Sequence, residues 1–173
     1  MVKNIKIVIG ANFGDEGKGL FTDYICKQYI SKTPIVIRDN GGCQSGHTVV
    51  RDGKRIVFSH FGSGSLLGVP TFLTSNFIIN PIFFADEWNK IYRLCPNLKV
   101  FVDANTRVST PYDVLINQIK EIYRNQNAHG STGKGIYETI NRYEEVKQSY
   151  YLKDLYKLSY NEIKDYLLQS EDR

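Results

Sequence analysis

Asp15, Glu16 and Lys18 stand among four glycines in the stretch "GANFGDEGKGL", residues 10–20. A lysine in such a loop binds phosphate. Glycines let backbone N–H groups approach the oxygens, and a following helix N-terminus adds positive potential. Two carboxylates in the same loop repel phosphate unless they have work of their own. A hard divalent cation bridging phosphate oxygens turns a carboxylate from repulsive to attractive, and a carboxylate beside a substrate N–H can take its proton. The plainer reading is a solvated turn whose acids cap a helix. Confinement between Gly14, Gly17 and Gly19, with Lys18 alongside, favours the chemical one. The loop is no Walker A motif, which needs Gly at 12 and Ser or Thr at 19, where Asn12 and Gly19 stand. Asn12 also breaks the dinucleotide fingerprint.

Two further glycine-rich loops carry reactive groups. "NGGCQSGHT" (40–48) presents His47 between Gly46 and Thr48. Histidine is the side chain whose ordinary pKa lies near neutrality, so His47 is a candidate general acid. "HGSTGKGI" (129–136) offers the hydroxyls of Ser131 and Thr132, loop amides and Lys134, again groups that bind anions.

These loops need elements to hold them. "KIVIG" (6–10) reads as a buried parallel strand, central in a sheet, with a helix from Lys18 to Tyr29 and a second strand at "PIVIRD" (34–39). Together they read as a βαβ unit with a right-handed crossover. "HTVVRDGKRIVFSHF" predicts a hairpin turning at Asp52-Gly53. "TFLTSNFII" and "KVFVDAN" predict strands; Pro81–Leu94 and Pro111–Asn125 predict helices, the second capped by Thr110. Helices are also expected over Glu138–Gln148 and Leu152–Leu168. The expected fold is α/β, a mostly parallel sheet of P-loop-NTPase type with flanking helices and ligand loops at strand ends. The 173 residues form one domain in this reading, 1–173.

Composition narrows the function classes. With 42% apolar and 23% charged residues the chain reads as an ordinary globular protein. A net charge of +4 is too mild to indicate a nucleic-acid partner. Cys26, Cys43 and Cys95 are widely spaced and form no CxxC pair, so neither a disulfide framework nor a zinc site is indicated, and a reducing cytoplasm is expected. Residues 56–85 carry no Asp, Glu, Lys or Arg, but Pro70, Asn76, Asn80, Pro81 and several serines make them buried strands and loops rather than a membrane span.

At the three loops the sequence resembles the adenylosuccinate synthetase family. Its "WGDEGKG" appears as "FGDEGKG" (13–19), its "GGxNAGHT" as "GGCQSGHT" (41–48), and its "GTTGRGI" as "GSTGKGI" (130–136). The order and spacing match over most of the chain, which corresponds to the N-terminal part of a family member. The resemblance implies a GTP- and magnesium-dependent ligase that joins aspartate to IMP through a 6-phosphoryl intermediate. Asp15 would take the N1 proton and, with the Gly46 carbonyl, ligate Mg²⁺; His47 would donate a proton during phosphoryl transfer; Lys18 would be catalytic with them. GTP would be held by Gly14, Asp15, Glu16, Gly17, Lys18 and Gly19, with Gly46, His47 and Thr48. IMP would meet Asp15, Lys18, Gln44, Gly46, His47, Ser131 and Thr132.

The family also works as a homodimer in which an arginine reaches the partner's nucleotide. Arg142 and Lys147 are the positions considered for it here, and the Tyr-rich 137–166 region is the expected interface. Gln44, Lys134 and Phe13 replace the family's Asn, Arg and Trp. Two alternatives accompany this reading: a catalytically incomplete purine-nucleotide-binding module, and a phage-type variant acting on a guanine deoxynucleotide.

Overall fold

The computed structural model describes residues 4–12, 14–145, 149–159, 161–163 and 165. Its sheet is parallel, β1 (Val36–Arg38), β4 (Thr71–Leu73) and β6 (Val100–Val102), in the order β1-β4-β6. Val36 is in register with Thr71, and Thr71 with Val100. A second parallel pair joins β5 (Ile78–Ile79) to β7 (Arg107–Val108). The predicted hairpin is β2 (His47–Arg51) with β3 (Lys54–Phe58). Asp52 and Gly53 both take positive φ, 49° and 73°, which matches the twist of the flanking strands.

Helix α2 (Pro81–Tyr92) crosses from the β4 side to β6. Asn80 caps it by accepting the Ile82 and Phe83 amides, with Pro81 in the first turn, where no N–H is needed. Helix α3 (Pro111–Arg124) opens with a capping box. The Thr110 hydroxyl accepts the Asp113 N–H at 3.2 Å, and the Asp113 carboxylate accepts the Thr110 N–H at 2.7 Å.

The charge-free stretch is interior, as expected. Phe58, Phe61 and Val49 pack with Ile91 and Leu98 against Phe84 and Trp88. Leu73, Phe77 and Ile79 pack with Val108, Tyr150 and Leu155. Glu87 enters this apolar region to accept the amides of Ser59, His60 and Phe61. His60, fully buried, bridges Glu87 and the Asn80 amide; the tautomer with its proton on Nδ1 satisfies both. Among the described residues no helix is long and apolar enough to cross a membrane.

Three expectations fail. "TFLTSNFII" is not one strand: a turn at residues 75–76 divides it into β4 and β5, which pair in different sheets. "KIVIG" is not a strand, and the βαβ unit it was to open does not form. Residues 4–10 have no regular structure, and Ile5, Ile7 and Ile9 are exposed at 76%, 81% and 80%. Their alternation carries β-propensity, but a parallel strand exists only where a neighbour takes its ladder, and among the described residues none does. The helix expected over 152–168 is broken. Helix α5 stops at Leu155 (Leu152–Leu155), and Ser159 starts a new helical turn, its N–H and hydroxyl bonded to Glu162 at 2.8 and 2.6 Å. That Ser-x-x-Glu cap competes with continuation of the helix. Residues 146–148, 160, 164 and 166–168 of the expected helices lie outside the described residues.

Candidate functional site

The first loop is built by backbone only glycine takes easily. Gly14 has φ 126° and Gly17 φ 75°, and Gly17 leads into helix α1 (Lys18–Gln28). Asp15 is also left-handed, at φ 52°, and exposed. Glu16 folds back onto the loop. Its Oε1 accepts the Ala11 N–H at 2.7 Å and the Asn12 N–H at 2.5 Å, while Oε2 lies 3.3 Å from Lys18 Nζ. The Asn12 amide leads the effects that hold the Glu16 carboxyl below its usual range. Two amides and a lysine thus already form an oxyanion cradle, occupied by the loop's own carboxylate.

The second loop meets the first at Gly19. A Cβ there would fall 2.9 Å from the Cβ of His47, so the start of α1 and the start of β2 are in direct contact. Burial, then the positive charges of Arg38 and Lys18, push the His47 pKa down to about 4. The ring is therefore neutral at pH 7. A neutral imidazole can donate one N–H, and an anion beside it would offset the two cations and favour its protonated form.

A histidine NMR titration checks this, with His47 expected to titrate at about 4 instead of the ordinary 6.5. The folded pKa lies below the unfolded one. The stability associated with His47 is therefore fully present above pH 6.5 and lost as pH falls toward 4. After allowance for the ring's partial solvent contact, the loss is on the order of 1–2 kcal/mol, and His47→Gln should remove it.

Sequence reasoning missed Arg38. Half-buried behind the loop, it donates to the Ser59 carbonyl at 2.6 Å and to the Ser45 hydroxyl at 2.7 Å, and Ser45 in turn donates to the Gly42 carbonyl at 3.0 Å. Burial pushes its pKa down to about 10, which leaves it charged at neutral pH. The one available signal was an arginine closing an apolar strand. Beside it Gln44 has a buried Oε1 with no hydrogen-bond partner among the described residues. Burial raises the Cys43 thiol to about 11, so it is protonated and unreactive.

The third loop is held by helix α3. Glu121 accepts the Ser131 and His129 amides at 3.1 and 3.4 Å, and Asn117 Oδ1 takes the Ser131 hydroxyl and the Gly135 N–H. No sequence signal pointed to Glu121 or Asn117. Thr132 is exposed, and Lys134 Nζ sits 3.6 Å from the centre of the Phe83 ring. Helix α4 (Ile136–Glu144) follows, and Ile136 packs on Cys43 and Ile78 of the second loop's surroundings. Arg142, considered as the arginine lent to a partner, is instead paired in cis. Its Nε and Nη2 each lie 2.9 Å from the two Asp113 oxygens. Lys147 lies outside the described residues. The first and second loops meet at Gly19 and His47, the second and third at Gly42 and Ile136.

A model of the adenylosuccinate synthetase family matches residues 7–167. The chain is 36% identical to the adenylosuccinate synthetase of Picrophilus torridus over 132 residues, 76% of this chain and 31% of that one. It is 30% identical to that of Borrelia duttonii, over 76% of this chain and 30% of the relative. It therefore spans about a third of the length of these relatives. Among solved structures, fully ligated adenylosuccinate synthetase from Plasmodium falciparum superposes with a TM-score of 0.73 at 21% identity, covering 94% of this chain and 39% of that one. Cyanophage S-2L succinoaminodeoxyadenylate synthetase, bound to dGMP and dATP, superposes at 0.55 with 22% identity, over 74% and 34%. The fold, the order of the three loops and the match across residues 7–167 agree: the chain belongs to the adenylosuccinate synthetase family.

Proposed function

We propose that this protein provides the purine-nucleotide and phosphate site of a GTP-dependent ligase joining aspartate to IMP. The observation that carries this reading is the cradle of the Ala11 and Asn12 amides with Lys18, set against His47 at the contact of the first two loops. A phosphate oxygen is stabilised by the groups that now hold the Glu16 carboxylate. Lys18 neutralises phosphate charge, Asp15 takes the N1 proton, and neutral His47 donates a hydrogen bond to the transferring group. Gln44, Ser131 and Thr132 face the acceptor nucleotide.

Mg²⁺ fits this donor set only as a companion of the nucleotide. Among the described residues no group of three or more His, Cys, Asp or Glu can hold a metal. Asp15 and the Gly46 carbonyl supply two hard oxygen ligands, and magnesium is commonly bound by one or two protein oxygens plus substrate phosphates. When bound, it would offset charge on the phosphates.

The test is calorimetry of the protein with Mg·GTP and with IMP. Saturable binding of both is expected. Asp15→Asn, nearly equal in volume, should weaken the magnesium-dependent component by about tenfold or more at unchanged melting temperature. Absence of binding by either nucleotide, or an Asp15→Asn titration identical to the parent, refutes the proposal.

We propose further that the protein is a cytoplasmic homodimer. The three free cysteines suit a reducing compartment. Of the described tyrosines in the 137–166 region, Tyr150 is buried, Tyr143 and Tyr151 are half-buried, and Tyr137 and Tyr156 are exposed. A better contact face is α3, where Leu115, Ile116, Ile119, Ile122 and Tyr123 are all exposed at helical spacing. Sedimentation should show self-association that Ile119→Glu abolishes; a monomer at all concentrations overturns the dimer.

A further inference from the structure

A polar cavity lies at the carboxyl edge of the sheet. Its volume is about 330 Å³, and Ser75, Asn76, Asn105, Arg107, Tyr151 and Lys153 contribute to its lining. It shares no residue with the three glycine-rich loops. Ser75 and Asn76 follow the end of β4, and Asn105 follows the end of β6. Loops at this edge of an open parallel sheet are where such folds bind ligands.

Two cations, Arg107 and Lys153, line the cavity, and neighbouring side chains hold both. The Arg107 guanidinium lies 4.1 Å from the centre of the Tyr143 ring, within cation–π distance. The Tyr151 hydroxyl donates to that of Tyr143 at 2.9 Å, and the two rings meet edge to face. Lys153 Nζ donates to Asn105 Oδ1 at 3.0 Å and lies 5.1 Å from the Tyr151 ring centre. Neither Arg107 nor Lys153 belongs to an ion pair among the described residues. Three carboxylates are close by, each engaged locally. Asp39 accepts from Thr74 and Asn76, Asp103 from the Asn105 N–H, and Asp154 from the Tyr151 N–H.

We propose that this cavity is a second anion site, which takes the phosphate of a small phosphate monoester between Arg107 and Lys153. A guanidinium fixed on an aromatic face loses little freedom on binding an oxyanion, and a flexible lysine supplies the second charge. Asn105 and Asn76 offer amide groups to the ester's hydroxyls. The volume admits a pentose phosphate.

The test is an amide NMR titration of the full chain with ribose 5-phosphate and, separately, inorganic phosphate. Saturable shifts are expected at residues 75–76, 105–107 and 151–153, tighter for the ester if the sugar is recognised. Equal affinities would assign the site to phosphate alone, still within the proposal. Arg107→Gln with Lys153→Gln should weaken binding at these amides by about tenfold or more, while any response of residues 14–19 stays as in the parent. The two exposed or half-exposed side chains leave the fold intact, which the unshifted remainder of the spectrum verifies. Absence of saturable shifts here, shifts unaltered in the double variant, or shifts abolished by moderate sodium chloride would overturn it. Failure of nucleotide binding at the glycine loops leaves this result unaffected, because the two sites report through different amides.

Discussion

Asp113→Ala is expected to destabilise the protein by about 3–5 kcal/mol, the usual cost of leaving one member of a buried ion pair without its partner. Asp113 is nearly fully buried and serves several groups at once. It accepts Arg142 through both oxygens at 2.9 Å, the Thr110 N–H at 2.7 Å and the Thr139 hydroxyl at 3.1 Å. Alanine would remove the carboxylate that both the Nε and Nη2 of Arg142 face, and would open half of the α3 capping box. Thermal unfolding should shift down by about 10 °C for a chain of this size. A double variant, Asp113→Leu with Arg142→Met, should recover much of the loss, because it removes both charges together. If the single variant melts like the parent, Asp113 does not hold α3 to α4. If the double variant is no better than the single, the deficit lies in the lost cap rather than in the stranded charge.

Gly19→Ala is expected to separate function from stability. Gly19 is helical, so alanine is favoured there by about 1 kcal/mol on backbone grounds. Its added methyl would nonetheless sit 2.9 Å from the His47 Cβ and 3.1 Å from the His47 backbone. The contact is backbone against backbone, so α1 must move away from β2. Lys18 and the amide cradle would move with α1, while His47 stays with the hairpin. Displacement of about 1 Å between groups that act on one ligand can cost on the order of a hundredfold. Mg·GTP affinity measured by calorimetry should fall by about tenfold to a hundredfold, with a far-ultraviolet spectrum like the parent's. Unchanged affinity would mean that the first two loops do not share a ligand, and the proposed site would have to be redrawn.

Chemistry confined to short sequence windows was legible without coordinates. The hairpin turn at Asp52-Gly53, the Thr110 and proline starts of α2 and α3, and the three glycine loops depend on backbone conformation or capping within a few residues, and the structure reproduces them. Family membership rested on the same short motifs. What tertiary structure alone decided has partners distant in sequence. Ile5, Ile7 and Ile9 have the alternation of a strand, but a parallel strand is made by its neighbours, and none is present among the described residues. Arg142 was considered as an arginine reaching a partner; pairing with Asp113, 29 positions earlier, turns it inward. Arg38, Glu121 and Asn117 looked like ordinary polar residues until the fold placed them behind the second and third loops. His47 was identifiable from its loop. Its neutral state was not, because that follows from burial and from Arg38 and Lys18, which only the folded chain brings to its side.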